Sequence, residues 1–546
     1  MLNLFQHPLV CRGLRVKPAM TTLSIALALT LLSSSVAFAQ NAPLLPTPHQ
    51  IIEMDGVFNM NEFVPVFMRR NAPLEEQKAV WMLCESFENI FGKPLKITDK
   101  EKGKVIVLRN LSLETPPKKQ EKMILPVGDE GYQLNVRPDK IEIIANSNTG
   151  LFYGSQTLLQ LIRTSSLTGA INCMTINDMP SSSQRYLSYP CDATHAPSFN
   201  YVKYLIQCAA HFKFNGIAFF NDSLSAPFAE MELFYLKKIA EAYHIDIVTF
   251  GKDSSLRYAP FGMTECALRE KAKTTAAPIE PQLFSPLPPA NYRHSELQGT
   301  KQEESQVLLI DLKHKIYPPF QPTLKAVFAA LSEKENKIPV FENNAAALFI
   351  DNWYSIFWSA ELLWNQPKNN TLSMMKQRQT QYEKALDKQF FEVDFSLCEQ
   401  LKTFDSLQVI SLTEQIFWRS VTPDSAVLTH SPAYNRFVLE RALAMEEKLQ
   451  LLFESAEIAN YHILYSMLFA AQRAEFIALK NLLQESLDKQ STENQTIKET
   501  VSLLLENIRH LKNAHAELWT IENDGDFPPD ITQQYEQMIL ELETIE

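Results

Sequence analysis

The sequence predicts three structural regions: an α/β N-terminal domain, a parallel region of the (β/α) barrel kind, and an all-α C-terminal helical bundle. Three observations predict it. Between residues 105 and 145, short β-branched runs flank a tight turn. From about Pro180, short apolar runs alternate with amphipathic stretches, which is the pattern of a parallel sheet. From Ala345 onward, apolar residues fall three and four apart almost without interruption. A length of 546 residues fits such a division, at roughly two to four domains.

Residues 1–39 read as an address rather than a fold. Arg12, Arg15 and Lys17 give a positive flank, "LSIALALTLLSSSVAFA" an apolar core, and Ala37-Phe38-Ala39 a cleavage motif. A single membrane anchor is the rival reading, but polar interruptions and the cleavage motif favour a removed signal peptide and a secreted or periplasmic protein. No later stretch is long and apolar enough to span a bilayer. Cleavage removes three cations and no acid, so the formal charge moves from −12 to −15. Such acidity argues against nucleic acid or anionic lipid as the main partner.

Of seven cysteines, Cys11 leaves with the leader and six remain, with no C-x-x-C spacing. Disulfides and buried free thiols both stay open, with free thiols favoured. The histidines show no ligand spacing, so neither a metal nor another cofactor is implied.

The first region spans residues 40–175. "VIVLRN", from residue 105, is a strand, and "YQLNV" and "IEIIAN" flank Arg137-Pro138-Asp139-Lys140 as a hairpin. Residues 74–91 and 150–163 carry apolar side chains at helical spacing, enough to cover one face of the sheet. The second region, 176–365, runs "RYLSYPCD", "FNYVKYLIQCAAHFKF", "GIAFF", "AEMELFYLKKIAEAYH" and "DIVTF" as alternating strands and helices. Residues 254–304, rich in Pro, Thr and Ala, read as an irregular insertion. "QVLLIDL" and "IPVFEN" resume as strands, with "TLKAVFAALSEKE" as a helix between them. Residues 366–546 are the bundle, and no internal repeat is present.

Glu130-Gly131-Tyr132, Gly150-Leu151-Phe152-Tyr153-Gly154 and the run from Gln156 to Leu161, with "LLPTPHQIIEMDGVF" ahead of them, closely resemble the non-catalytic N-terminal domain of glycoside hydrolase family 20 β-N-acetylhexosaminidases. The likeness covers residues 44–163. A weaker likeness follows: "NDMP" and Arg185 resemble the lead-in to the family's barrel, Asp192 matches an Asp-x-x-Arg motif in which His195 replaces the arginine, Asn215 matches a strand position, and "SAELLWN" resembles the closing helix with Trp364 in place. The resemblance implies an N-acetylhexosamine-containing glycan as partner and leaves the oligomeric state open.

The family's chemistry needs one carboxylate to orient the 2-acetamido group and its neighbour to protonate the leaving oxygen. The resemblance supplies these as adjacent Asp-Glu after Gly-Gly. This chain has no Gly-Gly and no Asp-Asp, and its one Asp-Glu is Asp129-Glu130, in the supporting domain, where a solvated turn is expected. Arg185 to Asn365 is 181 residues, against about 250 for a full eightfold barrel. A reduced barrel is therefore expected.

Carboxylates at predicted strand ends are the remaining candidates, because β/α barrels place chemistry there. Asp192, Asp222, Asp253, Asp311 and Glu342 qualify. Asp222, Asp311 and Glu342 are the candidate catalytic groups; Asp192, His195 and Trp353 are the candidate substrate contacts. Bland roles compete: helix capping for the acids, a solvated loop or a hydrogen-bonded core position for His195, and core packing for Trp353 with Trp358 and Trp364. Three functions follow: an active glycosidase with a rebuilt site, a non-catalytic glycan-binding protein, or a structural or interaction protein of the cell envelope.

Overall fold

A computed structural model describes residues 43–60, 64–113, 128–165, 169–191, 196–221, 228–251, 307–311, 338–342, 353–365, 372–391, 393, 396–399, 414–421, 431–454, 460–488 and 494–545. The leader, the 254–304 insertion, "TLKAVFAALSEKE", Asp192, His195, Asp222 and Asp253 lie outside them.

The amino-terminal strands are β1 (Gln50–Asn59), β2 (Val66–Phe67), β3 (Ile97–Thr98), β4 (Val105–Asn110), β5 (Tyr132–Val136), β6 (Lys140–Ala145) and β7 (Ala170–Asp178). They form one mixed sheet in the order β1-β7-β5-β6-β4-β2-β3. The expected hairpin is β5–β6, closed by backbone hydrogen bonds exchanged between Arg137 and Lys140. The sequence reading missed β7, which pairs antiparallel with both β1 and β5. Asn172, Thr175 and Asn177 are among its more accessible residues and break the apolar run.

Helices α1 (Leu74–Phe91) and α2 (Asn148–Thr164) pack on each other and on this sheet. Every residue of α2 from Gly150 to Ile162 is buried. Ser147 caps its start, the Oγ accepting from the Gly150 N–H at 3.2 Å. The two glycines of the Gly-Leu-Phe-Tyr-Gly run let it approach so closely. A Cβ on Gly150 would lie 2.5 Å from the Gly131 carbonyl oxygen and 2.8 Å from the Ala145 Cβ, and one on Gly154 2.5 Å from Ile143 Cγ2. The obstacles at Gly150 are backbone or Cβ atoms and cannot rotate away. Gly150→Ala is expected to cost about 1–3 kcal/mol through forced separation of α2 from the hairpin, read as a lower urea midpoint with an unchanged slope.

A second, parallel sheet holds β8 (Tyr186–Cys191), β9 (Gly216–Asn221) and β10 (Asp246–Gly251), in the order β10-β9-β8. Helices α3 (Phe199–His211) and α4 (Glu230–Ala242) make the two crossovers, as expected. A parallel pair, β11 (Val307–Asp311) and β12 (Ile338–Glu342), follows, and β12 lies against β8.

The rest of the described chain is helical: α5 (Trp353–Trp364), α6 (Leu372–Gln389), α7 (Glu414–Phe417), α8 (Pro432–Glu454), α9 (Tyr461–Asp488), α10 (Asn494–Glu522) and α11 (Pro529–Ile545). Helix α9 is central, packed between α8 and α10 and buried on nearly all sides. The parallel strands, α3, α5 and the carboxy-terminal helices share one apolar core, while the amino-terminal sheet and α2 build another. The five described cysteines, Cys84, Cys173, Cys191, Cys208 and Cys398, are free thiols.

Candidate functional site

The register of the parallel strands defines two edges. Tyr186, Gly216 and Asp246 align at the amino edge, and Cys191, Asn221 and Gly251 at the carboxyl edge. Side chains and ligands meet at carboxyl edges in such sheets, because the connecting loops and helix starts converge there. Asp311 and Glu342 are the last residues of β11 and β12 and are register partners. Asp192 directly follows Cys191, and Asp222 directly follows Asn221. Two of the sequence candidates are thus brought side by side at a carboxyl edge.

Trp353 is different. It opens α5 at 1% exposure, edge-on to Tyr354 at 5.6 Å and to Phe391 at 5.2 Å between ring centroids. Its ring is enclosed by the core, as are those of Trp358 and Trp364. The apolar face that carries them packs inward instead of forming a sugar-stacking floor.

The densest polar cluster lies at the amino edge. Arg185, just before β8, has 1% side-chain exposure, and all its donor groups find acceptors. Its Nη1 and Nη2 donate to the two Glu130 carboxylate oxygens, each at 2.9 Å, a bidentate pair. Nη2 also donates to the Tyr153 hydroxyl at 3.0 Å, Nη1 to the Ser182 carbonyl at 2.7 Å, and Nε to the Lys213 carbonyl at 2.9 Å. The guanidinium also lies 5.0 Å from the Trp364 ring centroid.

This corrects the expectation for Asp129-Glu130. Asp129 is exposed at the turn, but Glu130 reaches across to the cation that precedes the parallel sheet. It binds the two sheets together and is not a solvated turn residue.

Asp178, the last residue of β7, is the second anchor. Its carboxylate accepts from Lys213 Nζ at 3.0 Å, the Tyr132 hydroxyl at 2.7 Å, Trp364 Nε1 at 2.9 Å and the His49 backbone N–H at 3.1 Å. Burial alone would raise this carboxyl, but the Lys213 ammonium and the bonds from His49, Tyr132 and Trp364 outweigh it and hold it well below the usual carboxylate range. Burial pulls the Lys213 ammonium down from its ordinary value, and Asp178 opposes that pull. The Asp178 carboxylate is ionised at neutral pH, because it stays charged far below it. An Asp, Lys and Tyr in contact resemble catalytic machinery. At 0% and 1% side-chain exposure for Asp178 and Lys213, no substrate reaches them, so their role is structural.

Sequence reasoning missed this network, although a signal existed: Lys213 stands between Phe212 and Phe214, at the end of an apolar helix. A depression of about 440 Å³ also opens on this side, lined by Glu130, Asn215, His244 and Asp246 among others. It lies at the amino edge of the β8–β10 sheet.

Residues 41–179 match the model of glycosyl hydrolase family 20, domain 2. The chain is 30% identical over 178 residues to a β-hexosaminidase of Vibrio furnissii, covering 32% of this chain and 26% of that protein. It thus spans about a quarter of the length of the curated relative it matches. Among solved structures, a family 20 exo-β-N-acetylglucosaminidase of Vibrio harveyi, in complex with N-acetylglucosamine, is similar at 20% identity and a TM-score of 0.31, over 38% of this chain and 36% of that one. CpGH84B is similar at 15% identity and a TM-score of 0.44, over 90% and 99%. The chain is hexosaminidase-like, on the strength of its amino-terminal region.

Proposed function

We propose that this is an exported, hexosaminidase-like carbohydrate-active protein that holds an N-acetylhexosamine-containing glycan at the carboxyl ends of its parallel strands. The observation that carries the reading is the register of Asp311 with Glu342 at the ends of adjacent strands. The 30% identity to a β-hexosaminidase supports the sugar class. On this reading the five parallel strands, with β12 against β8, are a reduced β/α barrel, and residues 1–39 are a cleaved signal peptide directing a periplasmic or secreted chain.

Turnover requires one carboxyl group to protonate the leaving oxygen and another to act on the anomeric carbon or orient its neighbour. Asp311, Glu342 and Asp222 are the groups for those roles. One observation favours a second reading, binding without cleavage. The chain's only Asp-Glu pair is in the supporting sheet, with Glu130 engaged by Arg185.

Hydrolysis of a 4-methylumbelliferyl N-acetyl-β-hexosaminide panel separates the two. Turnover by the mature chain that falls at least about 100-fold in Asp311→Asn, Glu342→Gln or Asp222→Asn identifies a rebuilt catalytic site. A folded chain that turns over nothing while still binding the sugar is the non-catalytic form.

A further inference from the structure

The depression at the amino edge of the parallel sheet is built from several elements at once. Glu130 lines it from the turn before β5, Thr149 from the first turn of α2, Lys237 from α4, and Asn215, His244 and Asp246 from the starts of β9 and β10. At about 440 Å³ it has room for a small molecule.

Much of its polar wall is fixed before anything binds. Asn215 Oδ1 accepts from the Arg185 N–H at 2.8 Å, its Nδ2 donates to the Ser183 carbonyl at 2.7 Å, and its own carbonyl accepts from the Asp246 N–H at 3.0 Å. His244 has a left-handed backbone, with φ of 54°, which is uncommon for a residue other than glycine. Its ring is held by Thr149, whose Oγ1 lies 3.2 Å from Nδ1, and by Phe152, at 5.3 Å between ring centroids.

Other charges around the depression are matched within the protein. Glu130 takes Arg185, and Glu241 takes Lys238 at 2.8 Å. Two are not. Among the described residues, the Asp246 carboxylate and the Lys237 ammonium form no hydrogen bond or ion pair, with each other or with a neighbour, although both line the same wall. Burial raises the Asp246 carboxyl from its ordinary value, and no cation offsets that rise. An anion partly withdrawn from water and a cation, each without a counter-ion, therefore face one cavity.

We propose that this depression binds a small zwitterion, a free α-amino acid, whose ammonium pairs with Asp246 and whose carboxylate pairs with Lys237. Ile245 and Ile247 add apolar lining that suits a short aliphatic side chain. Two matched charges select against a molecule that carries only one, because that ligand leaves the other protein charge unpaired. The proposal is independent of the glycan reading, in which none of these residues takes part.

Calorimetric titration of the purified protein with glycine, L-alanine and L-leucine tests this, with acetate and methylammonium as singly charged controls. At least one amino acid is expected to bind with a Kd in the millimolar range or tighter, and each control at least about tenfold more weakly. Asp246→Asn and Lys237→Met are each expected to weaken that binding at least about tenfold, the effect of one charge-assisted hydrogen bond. Both side chains belong to exposed residues, and thermal unfolding checks that the variants fold as the wild type does. Absence of binding by all three amino acids overturns the proposal, as does binding that either substitution leaves unchanged. Methylammonium bound as tightly as the amino acids would make this a site for cations alone and overturn it equally.

Discussion

Lys213→Met lowers stability by about 3–5 kcal/mol, because it leaves the Asp178 carboxylate buried without its counter-ion. The expected reading is a large fall in urea midpoint. The double substitution Asp178→Asn/Lys213→Met is expected to recover part of the loss, since removing both charges also removes their burial cost. Acid dependence gives a second reading. The folded-state pKa of Asp178 is depressed, so its contribution is fully present above the unfolded value of about 3.9 and is lost as pH falls through the folded value. Asp178→Asn is therefore less stable than the wild type at neutral pH, and the difference narrows from about pH 4 downward. A difference independent of pH would mean that the carboxylate is not held in its ionised form by the fold.

Glu130→Ala is the second large effect, at about 2–3 kcal/mol, because the buried Arg185 guanidinium loses both members of its bidentate acceptor. The loss is smaller than for Lys213 because Glu130 is 23% exposed and water replaces part of what is lost. Asp129→Asn, one residue earlier and exposed, is expected to stay within about 0.5 kcal/mol. Chemical denaturation of the two variants side by side checks the asymmetry. Equal effects would contradict the assignment of Glu130 as a link between the two sheets.

Much of the fold was legible because it is written in local periodicity. The β5–β6 turn, α1, α2 and the alternation from β8 to β10 each depend on residues within a few positions of one another. β7 escaped because accessible polar residues interrupt the apolar run, and only its pairing with β1 and β5 makes it a strand. The polar anchors escaped for a related reason. Glu130 and Arg185 are 55 positions apart, and Asp178 and Trp364 are 186 apart, so no local pattern joins them. The bonds between Ser198 and the end of α10 join residues more than three hundred positions apart. Of the candidate site, the strand-end positions of Asp311 and Glu342 followed from apolar runs that stop at an acid. Their register did not, because a parallel pairing is set by the sheet and not by either strand alone.

The amino-edge network also explains why resemblance to a supporting domain carries structural residues more readily than catalytic ones. Tyr132, Tyr153 and Gly150 lie in the motifs that resemble the family, and all three shape the packing or the polar contacts of α2 and the two sheets. None lies at the carboxyl edge of the parallel strands. The proposed strand-end site, with Asp311 and Glu342, lies beyond the region that carries the resemblance.

The most direct measurement is the affinity of the mature chain for N-acetylglucosamine, compared between wild type and Asp311→Asn/Glu342→Gln under conditions in which both are folded. The wild type is expected to bind measurably and the variant to lose at least about tenfold in affinity, corresponding to one charge-assisted hydrogen bond or more. Equal affinity in the two proteins, or no binding by the wild type, would contradict the claim that the carboxyl ends of the parallel strands hold the sugar.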